Sequence, residues 1–303
     1  MARIVPVFFL FLFSLAPLTS QNQPIRFANP GWTDINATTA ITAEMLSSMG
    51  YSVEIRKLSV PETFQNLQIG DVDVFLGNWM PAQSKNILPC LDDKTVQQTA
   101  INLTNARFTL AVPKYVYDAG VTSAEHLAAN AERFQRKIYG IEPGDGGNRL
   151  ILGMIEKNTY QLNGWTLIES SEKEMLVKVK SAIEQKQWII FLGWQPHPMN
   201  TKIEMAYLDD PFEVWGLGGG ISKVHTVLST KFANRSPQLL LFFENLTFTV
   251  EMENEWMRQL LEEGKEPEIM AKTWLQEHPE QKELWMKHLN KLENSTTSTE
   301  KKD

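Results

Sequence analysis

Beyond its first twenty residues the chain alternates short apolar, β-branched runs with stretches of helical periodicity, the pattern of parallel βαβ units. Strands are predicted over residues 25–28, 53–58 and 72–76, and helices over 38–49, stopped by Gly50, and over 61–67. Further strands are predicted over 109–112, 138–141, 165–168, 188–192 and 206–208. Ser171-Glu-Lys-Glu174 has the spacing of a capping box and opens a helix with apolar residues at Met175, Leu176, Val179 and Ile183. From about residue 238 helices take over, at 251–263, 267–277 and 279–292. The chain is therefore an α/β protein, and its 303 residues suffice for roughly two domains.

Within this alternation one segment echoes another. Phe75-Leu-Gly-Asn-Trp79-Met-Pro81 and Phe191-Leu-Gly-Trp194-Gln-Pro196 are both strands that run out into Gly, Trp and Pro. Two more strands end in comparable fashion, at Gly31-Trp32-Thr-Asp34 and at Glu142-Pro-Gly-Asp145-Gly-Gly-Asn148. Ligands of open α/β sheets sit beyond the carboxyl ends of strands. The four ends would bring Trp32, Asp34, Trp79, Asp145 and Trp194 to one place, with Trp32 and Trp79 on a first lobe and Asp145 and Trp194 on a second. Any one of these Trp could be core. Together, beside Gly and Pro at strand exits, they read as a ligand site in a cleft between two similar lobes. Of the other Trp, Trp256, Trp274 and Trp285 fall on helical apolar stripes and are predicted to pack helices, Trp165 and Trp188 lie in predicted strands, and Trp215 is near a crossing between lobes.

Composition narrows the function. Lys and Arg number 29 against 36 Asp and Glu, a formal charge of −7, which opposes nucleic-acid binding through basic patches. One cysteine, Cys90, permits neither an intramolecular disulfide nor a cysteine zinc cluster. Residues 1–20 place Arg3 before an apolar run and then small and polar residues, the order of a cleaved signal peptide. The run is shorter than the roughly 20 apolar residues of a bilayer span, and no Cys at its end offers a site for a lipid anchor. A single thiol in an exported protein suits a bacterial periplasm. The polar tail 294–303 is predicted to be disordered.

The sequence contains no nucleophile-elbow, zinc-protease or Walker motif, and its five His show no ligand spacing, so neither catalysis nor a cofactor nor a metal is expected. His197, in Pro-His-Pro, is expected to shape its loop. Gly216-Leu-Gly-Gly-Gly220 leads into an apparent strand rather than a helix and reads as hinge or cleft backbone. Several Trp faces and a carboxylate suit a methylated cation, which ring quadrupoles attract. Three or four rings at about 0.5 to 2 kcal/mol each give roughly 2 to 8 kcal/mol. A carboxylate about 4 Å away adds on the order of 4 kcal/mol of gross attraction at an effective dielectric of about 20. Micromolar binding needs about 8 kcal/mol, so cage and carboxylate together are adequate.

At these residues the sequence closely resembles the choline-binding proteins of bacterial ABC importers, within the glycine betaine and choline binding family. Gly31-Trp-Thr-Asp34, Phe75-Leu-Gly-Asn-Trp-Met-Pro81, Ile138-Tyr-Gly-Ile-Glu-Pro-Gly144, Asn148-Arg-Leu150, Phe191-Leu-Gly-Trp194, Pro196-His-Pro-Met199 and Met252-Glu-Asn-Glu255 match the family pattern. The resemblance implies a two-lobed type II periplasmic binding protein fold with a cleft and two hinge crossings, near residues 108–113 and 212–221. Lobe 1 would comprise 21–110 and 216–293, and lobe 2 would comprise 111–215. It implies a choline or related quaternary-amine ligand, a permease with its ATPase as partner, and ligand contacts from Trp32, Asp34, Trp79, Phe108, Asp145 and Trp194. The chain departs from the choline binders twice: Phe108 stands where they have a Tyr ring, and Asp145 where they have an Asn that bonds the choline hydroxyl. Choline stays compatible, glycine betaine fits less well, and a second amine on the ligand is left open. Chemosensing instead of transport, and an exported enzyme using Asp34 or Asp145 as a general base, are the alternative functions.

Overall fold

The structure is a computed structural model that describes residues 23–287 and 289. The predicted signal peptide and tail lie outside the described residues, as does the end of the last predicted helix. Nine strands form one sheet: β1 (Ile25–Asn29), β2 (Val53–Lys57), β3 (Val74–Met80), β4 (Val96–Pro113), β5 (Lys137–Tyr139), β6 (Thr166–Ile168), β7 (Phe191–Gln195), β8 (Met205–Tyr207) and β9 (Ile221–Ser229). Their order is β2-β1-β3-β9-β4-β7-β5-β6, with β8 paired to β4.

The sheet is one plan used twice. β1 runs parallel to β2 and β3, and β3 is antiparallel to β9. In the other half β5 runs parallel to β6 and β7, and β7 is antiparallel to β4. Each half is the sheet of one lobe, β1 corresponding to β5 and β3 to β7. The halves meet along β4, which pairs with β9 from Val96 to Arg107 and with β7 from Arg107 to Ala111. Arg107 is the residue shared by both pairings, opposite Ile221 and Gln195. Gly220, just before β9, passes so close to β4 that a Cβ there would lie 2.5 Å from the Phe108 carbonyl oxygen, and its φ is +89°. Only glycine fits that approach.

Three elements differ from the sequence pattern, each for a local reason. The first half of β4 was not predicted: its register against β9 shifts three times between Gln98 and Ala106, and such bulges erase the period-two alternation that marks a strand. β3 runs on through Gly77 to Met80, so Trp79 is a strand residue, penultimate in β3 as Trp194 is in β7. Gly77 reads as a breaker, yet it is there because Ile35 packs on the strand; a Cβ would come within 2.6 Å of the Ile35 side chain. The first long helix, Thr33–Ser48, begins five residues before the predicted start, with the polar residues Thr33 and Asp34 buried in its first turn. Trp165 and Trp188 sit just outside β6 and β7 and pack on Phe134.

The C-terminal helices Val250–Leu261 and Pro267–Glu277 and the helical residues 279–287 close over an aromatic cluster. Trp256 meets Trp274 edge-on at 5.0 Å, Trp274 stacks on Trp285 at 5.9 Å, and Phe248 contacts both Trp256 and Trp285. All four side chains are buried. No helix among the described residues is long and apolar enough to cross a membrane. Trp256→Ala should lower the unfolding free energy by about 3–5 kcal/mol, as measured by urea denaturation. A loss below about 1 kcal/mol would contradict the packing role.

Candidate functional site

The carboxyl ends of β1, β3, β5 and β7 converge on one small cavity. It is lined by Trp32, Asp34, Trp79, Phe108, Asp145 and Trp194, together with Ala82, Gln83 and Ile141. All six residues singled out from the sequence are thus brought together, and each is buried. Trp32 and Asp34 follow β1, Trp79 ends β3, Asp145 follows β5 and Trp194 ends β7. Phe108 lies on β4 directly opposite Trp194. Its ring is the hub of the aromatic wall, with its centroid 5.9 Å from Trp79, 6.4 Å from Trp194 and 5.7 Å from Trp215. Trp215 does not line the cavity; it backs Phe108 edge-on. The two Trp-X-Pro segments of the echo share their backbone geometry, with cis peptides at Met80-Pro81 and Gln195-Pro196.

Two helix N-termini point into this region, one from each lobe, and their acids are used differently. Asp145 is the N-cap of the helix Gly146–Glu156 and accepts from the amides of Gly147, at 2.6 Å, and Asn148, at 3.3 Å, through Oδ1. Asp34 lies in the first turn of Thr33–Ser48, and its Oδ2 accepts from the Trp79 indole N–H at 3.2 Å. Burial pushes the Asp34 carboxyl up to about 7, helped by the nearby charge of Glu172. Burial pushes Asp145 up to about 6, against the opposing pull of its cap amides. Behind Asp34, Glu253 of the motif Met252-Glu-Asn-Glu255 is buried on the helix Val250–Leu261. Its carboxyl is held well above the usual range by burial and by Asp34. The site is therefore rich in acidic groups, and its nine lining residues include no basic one.

Several contributors were not among the predicted site residues. Gln83 donates to the Gly77 carbonyl at 3.0 Å, which fixes its amide, and its Oε1 is buried without a hydrogen-bond partner. Glu142 accepts the Trp32 indole N–H at 3.1 Å. Glu172 accepts from the backbone N–H and the hydroxyl of Thr33, at 3.0 and 2.6 Å, and from His197 Nε2 at 3.0 Å. Burial would raise the Glu172 carboxyl, but the His197 and Thr33 bonds outweigh it and hold it below its ordinary value. His197 shapes its loop, as expected, since its Nδ1 accepts the Met199 amide at 2.9 Å. Its second bond, to Glu172, was not foreseen. The Ser171 capping box is present in full; what its spacing could not reveal is that Glu172, the first of the two residues between the capping partners, faces across the cleft.

Residues 23–277 match the family described as the substrate-binding domain of ABC-type glycine betaine transport systems. Among solved structures, the chain is similar to an ABC-transporter choline-binding protein in complex with choline, at 41% identity over 87% of this chain and 91% of that one, with a TM-score of 0.85. Against a choline-binding protein in an unliganded, semi-closed conformation, with the same identity and coverage, the TM-score is 0.80. The glycine betaine/carnitine transport binding protein of Listeria monocytogenes is 28% identical over 188 residues, 61% of this chain and 59% of that protein.

The raised pKa of Asp34 has a consequence for stability. The folded protein holds that proton more tightly than the unfolded chain, whose Asp titrates near 3.9. The stability this gives is present below about pH 4 and is lost as pH rises through about 7. Asp34→Asn removes the term and keeps an acceptor for Trp79. The ligand-free variant should match the wild type near pH 4 and exceed its unfolding free energy by about 2–4 kcal/mol at pH 8, as read from urea melts across that range. A difference independent of pH would contradict the assignment.

Proposed function

This chain belongs to the substrate-binding domains of ABC-type glycine betaine transport systems, and from that membership we propose that it captures choline between its lobes and delivers it to the permease. The observation that carries the reading is the composition of the cavity wall: four aromatic rings and two carboxyls, with no basic side chain among the lining residues. Trp32, Trp79, Phe108 and Trp194 offer ring faces to a trimethylammonium group, and Asp34 supplies the counter-charge. A quaternary ammonium donates no strong hydrogen bond, so a wall of rings costs it little in lost bonds to water. The hydroxyl of choline needs an acceptor, and the unpartnered Oε1 of Gln83 and the second oxygen of Asp145 are acceptors on the wall.

Asp145 supports choline over glycine betaine. The amides at the start of the helix Gly146–Glu156 are the natural partners of an anionic group in the cleft. Asp145 occupies two of them with its own carboxylate, so a ligand carboxylate would meet a like charge in place of a donor. In this reading the lobes divide at residues 21–110 with 216–293, and 111–215. The chain acts as a receptor rather than an enzyme, exported to the periplasm by a cleaved signal peptide.

Isothermal calorimetry on the full mature chain with choline, glycine betaine, carnitine and acetylcholine tests this directly. Choline should bind at micromolar Kd or tighter and glycine betaine at least tenfold more weakly; no heat with any quaternary amine would sink the proposal. Trp79→Ala should weaken choline binding by tenfold or more, from loss of one desolvated ring worth up to about 2 kcal/mol and of the hydrogen bond that orients Asp34. Asp145→Asn keeps the cap acceptor and removes the charge, so it should retain choline binding and narrow the choline-to-betaine ratio by about tenfold. An unchanged ratio would remove Asp145 from the selection.

A further inference from the structure

The helix Thr33–Ser48 lacks a cap of its own. Its N-cap residue is Trp32, whose side chain has no acceptor, and no side-chain cap bond forms there. A helix start leaves its first amides without intrahelical partners and carries a partial positive charge, so a carboxylate is the favoured occupant. Here the carboxylate comes from the other lobe. Glu172, the first residue of the helix Glu172–Glu184, takes the Thr33 amide on Oε2 and the Thr33 hydroxyl on Oε1. Thr33 follows β1 in one half-sheet and Glu172 follows β6 in the other, so these bonds tie the two halves together across the cleft.

Glu172 is itself held in place. His197 Nδ1 accepts the Met199 amide, so the ring proton lies on Nε2, which donates to Glu172 Oε1. The Glu172 backbone N–H donates to Glu142 Oε1 at 3.0 Å, and Glu142 Oε2 takes the indole N–H of Trp32, the residue adjoining Thr33. Every partner of the Glu172 carboxylate is a donor, which makes an acceptor-only group the one side chain that satisfies all three. On the far side of the cavity Arg149 reaches from the second lobe to the side-chain oxygen of Asn86 in the first and donates to its own lobe's Gly144 carbonyl at 2.6 Å.

We propose that Glu172, fixed by His197, is an interlobe latch that caps the Thr33–Ser48 helix on closure and so sets the closed fraction of the empty protein and, through it, the ligand affinity. Glu172 and His197 are positioning residues: neither lines the cavity. Apparent affinity scales with the population of the binding-competent form, so loss of the latch weakens binding without touching the cage. The inference goes beyond the proposed ligand, because closure is defined by the protein's own contacts.

The test uses fluorophores at Gln65→Cys, on the helix Val60–Ile69, and Lys157→Cys, just after the helix Gly146–Glu156, exposed positions on different lobes, with the native Cys90 buried. Interlobe energy transfer is read without ligand and with choline, in an otherwise wild-type protein and in Glu172→Gln. The variant should show a lower closed fraction without ligand and a choline Kd about tenfold weaker, with the loss in faster release. Thr33→Val removes one donor from the opposite lobe and should shift the closed fraction in the same direction. In the double variant the two effects should fall short of additive, the mark of a direct pair, and the comparison of wild type with Thr33→Val alone still decides the latch if Glu172→Gln folds poorly. An equal closed fraction in wild type and variants overturns the latch, even if their melting temperatures differ. If the wild type binds no quaternary amine, the ligand assignment fails while the energy-transfer comparison still decides the latch.

Discussion

The rest of the site depends on a carboxyl that is buried where it does not ionise easily. Asp34 sits among indoles with one side-chain donor, the Trp79 N–H, and burial and the nearby acid Glu172 raise its affinity for a proton. A proton and an organic cation answer the same deficit, so they compete for one carboxylate. Rings alone would accept many apolar guests. An underneutralised carboxylate among them restricts the guest to one that brings positive charge yet needs no hydrogen bond at that charge, since the walls offer faces where a primary ammonium would want acceptors.

The repeated half-sheet explains how one cavity gathers these groups. Equivalent strands end at equivalent heights, so the exits of β1 and β3 meet those of β5 and β7 across the cleft, and Trp79 and Trp194 occupy the same place in their strands. The helices after β1 and β5 are likewise equivalent, but their acids differ by two positions in helix register. Asp145 is the cap of its own helix and satisfies its amides. Asp34 stands inside the first turn, beyond the cap position, which leaves the Thr33 amide for Glu172. That small offset turns a repeated motif into two functions: a self-contained acceptor on one wall, and on the other a carboxyl oriented by Trp79 above a helix completed from outside.

Much of this was legible in the sequence because it lies in contiguous motifs. The Gly-Trp-Pro echo located Trp79 and Trp194, and β-branched runs gave most strands to within a few residues. All six predicted site residues line the same cavity. What escaped has a physical pattern. The first half of β4 is bulged, so its polar and apolar residues follow no period. The first turn of Thr33–Ser48 is polar because it is buried against another lobe rather than against its own core. Glu142, Glu172 and Gln83 are ordinary polar residues whose roles arise from partners at large sequence separation, as in the bond from Thr33 to Glu172. Glu172 was in view only as part of a capping box, and a box reports on the helix it starts, not on the one it faces.

Capture and closure are then linked by charge as well as by shape. Closing the lobes brings Glu172 to the Thr33 amide and at the same time adds negative potential at Asp34. Over an empty or anion-bearing cleft that second effect opposes closure, because a buried carboxylate gains a like-charged neighbour. Over a cation it favours closure, because the guest is attracted by both acids in a site sheltered from water. A ligand shifts a conformational equilibrium only by its differential affinity for the two forms. A latch built from a neutral acceptor would close equally well on any guest of the right size, whereas one built from a carboxylate beside Asp34 makes closure itself depend on the sign of the charge enclosed.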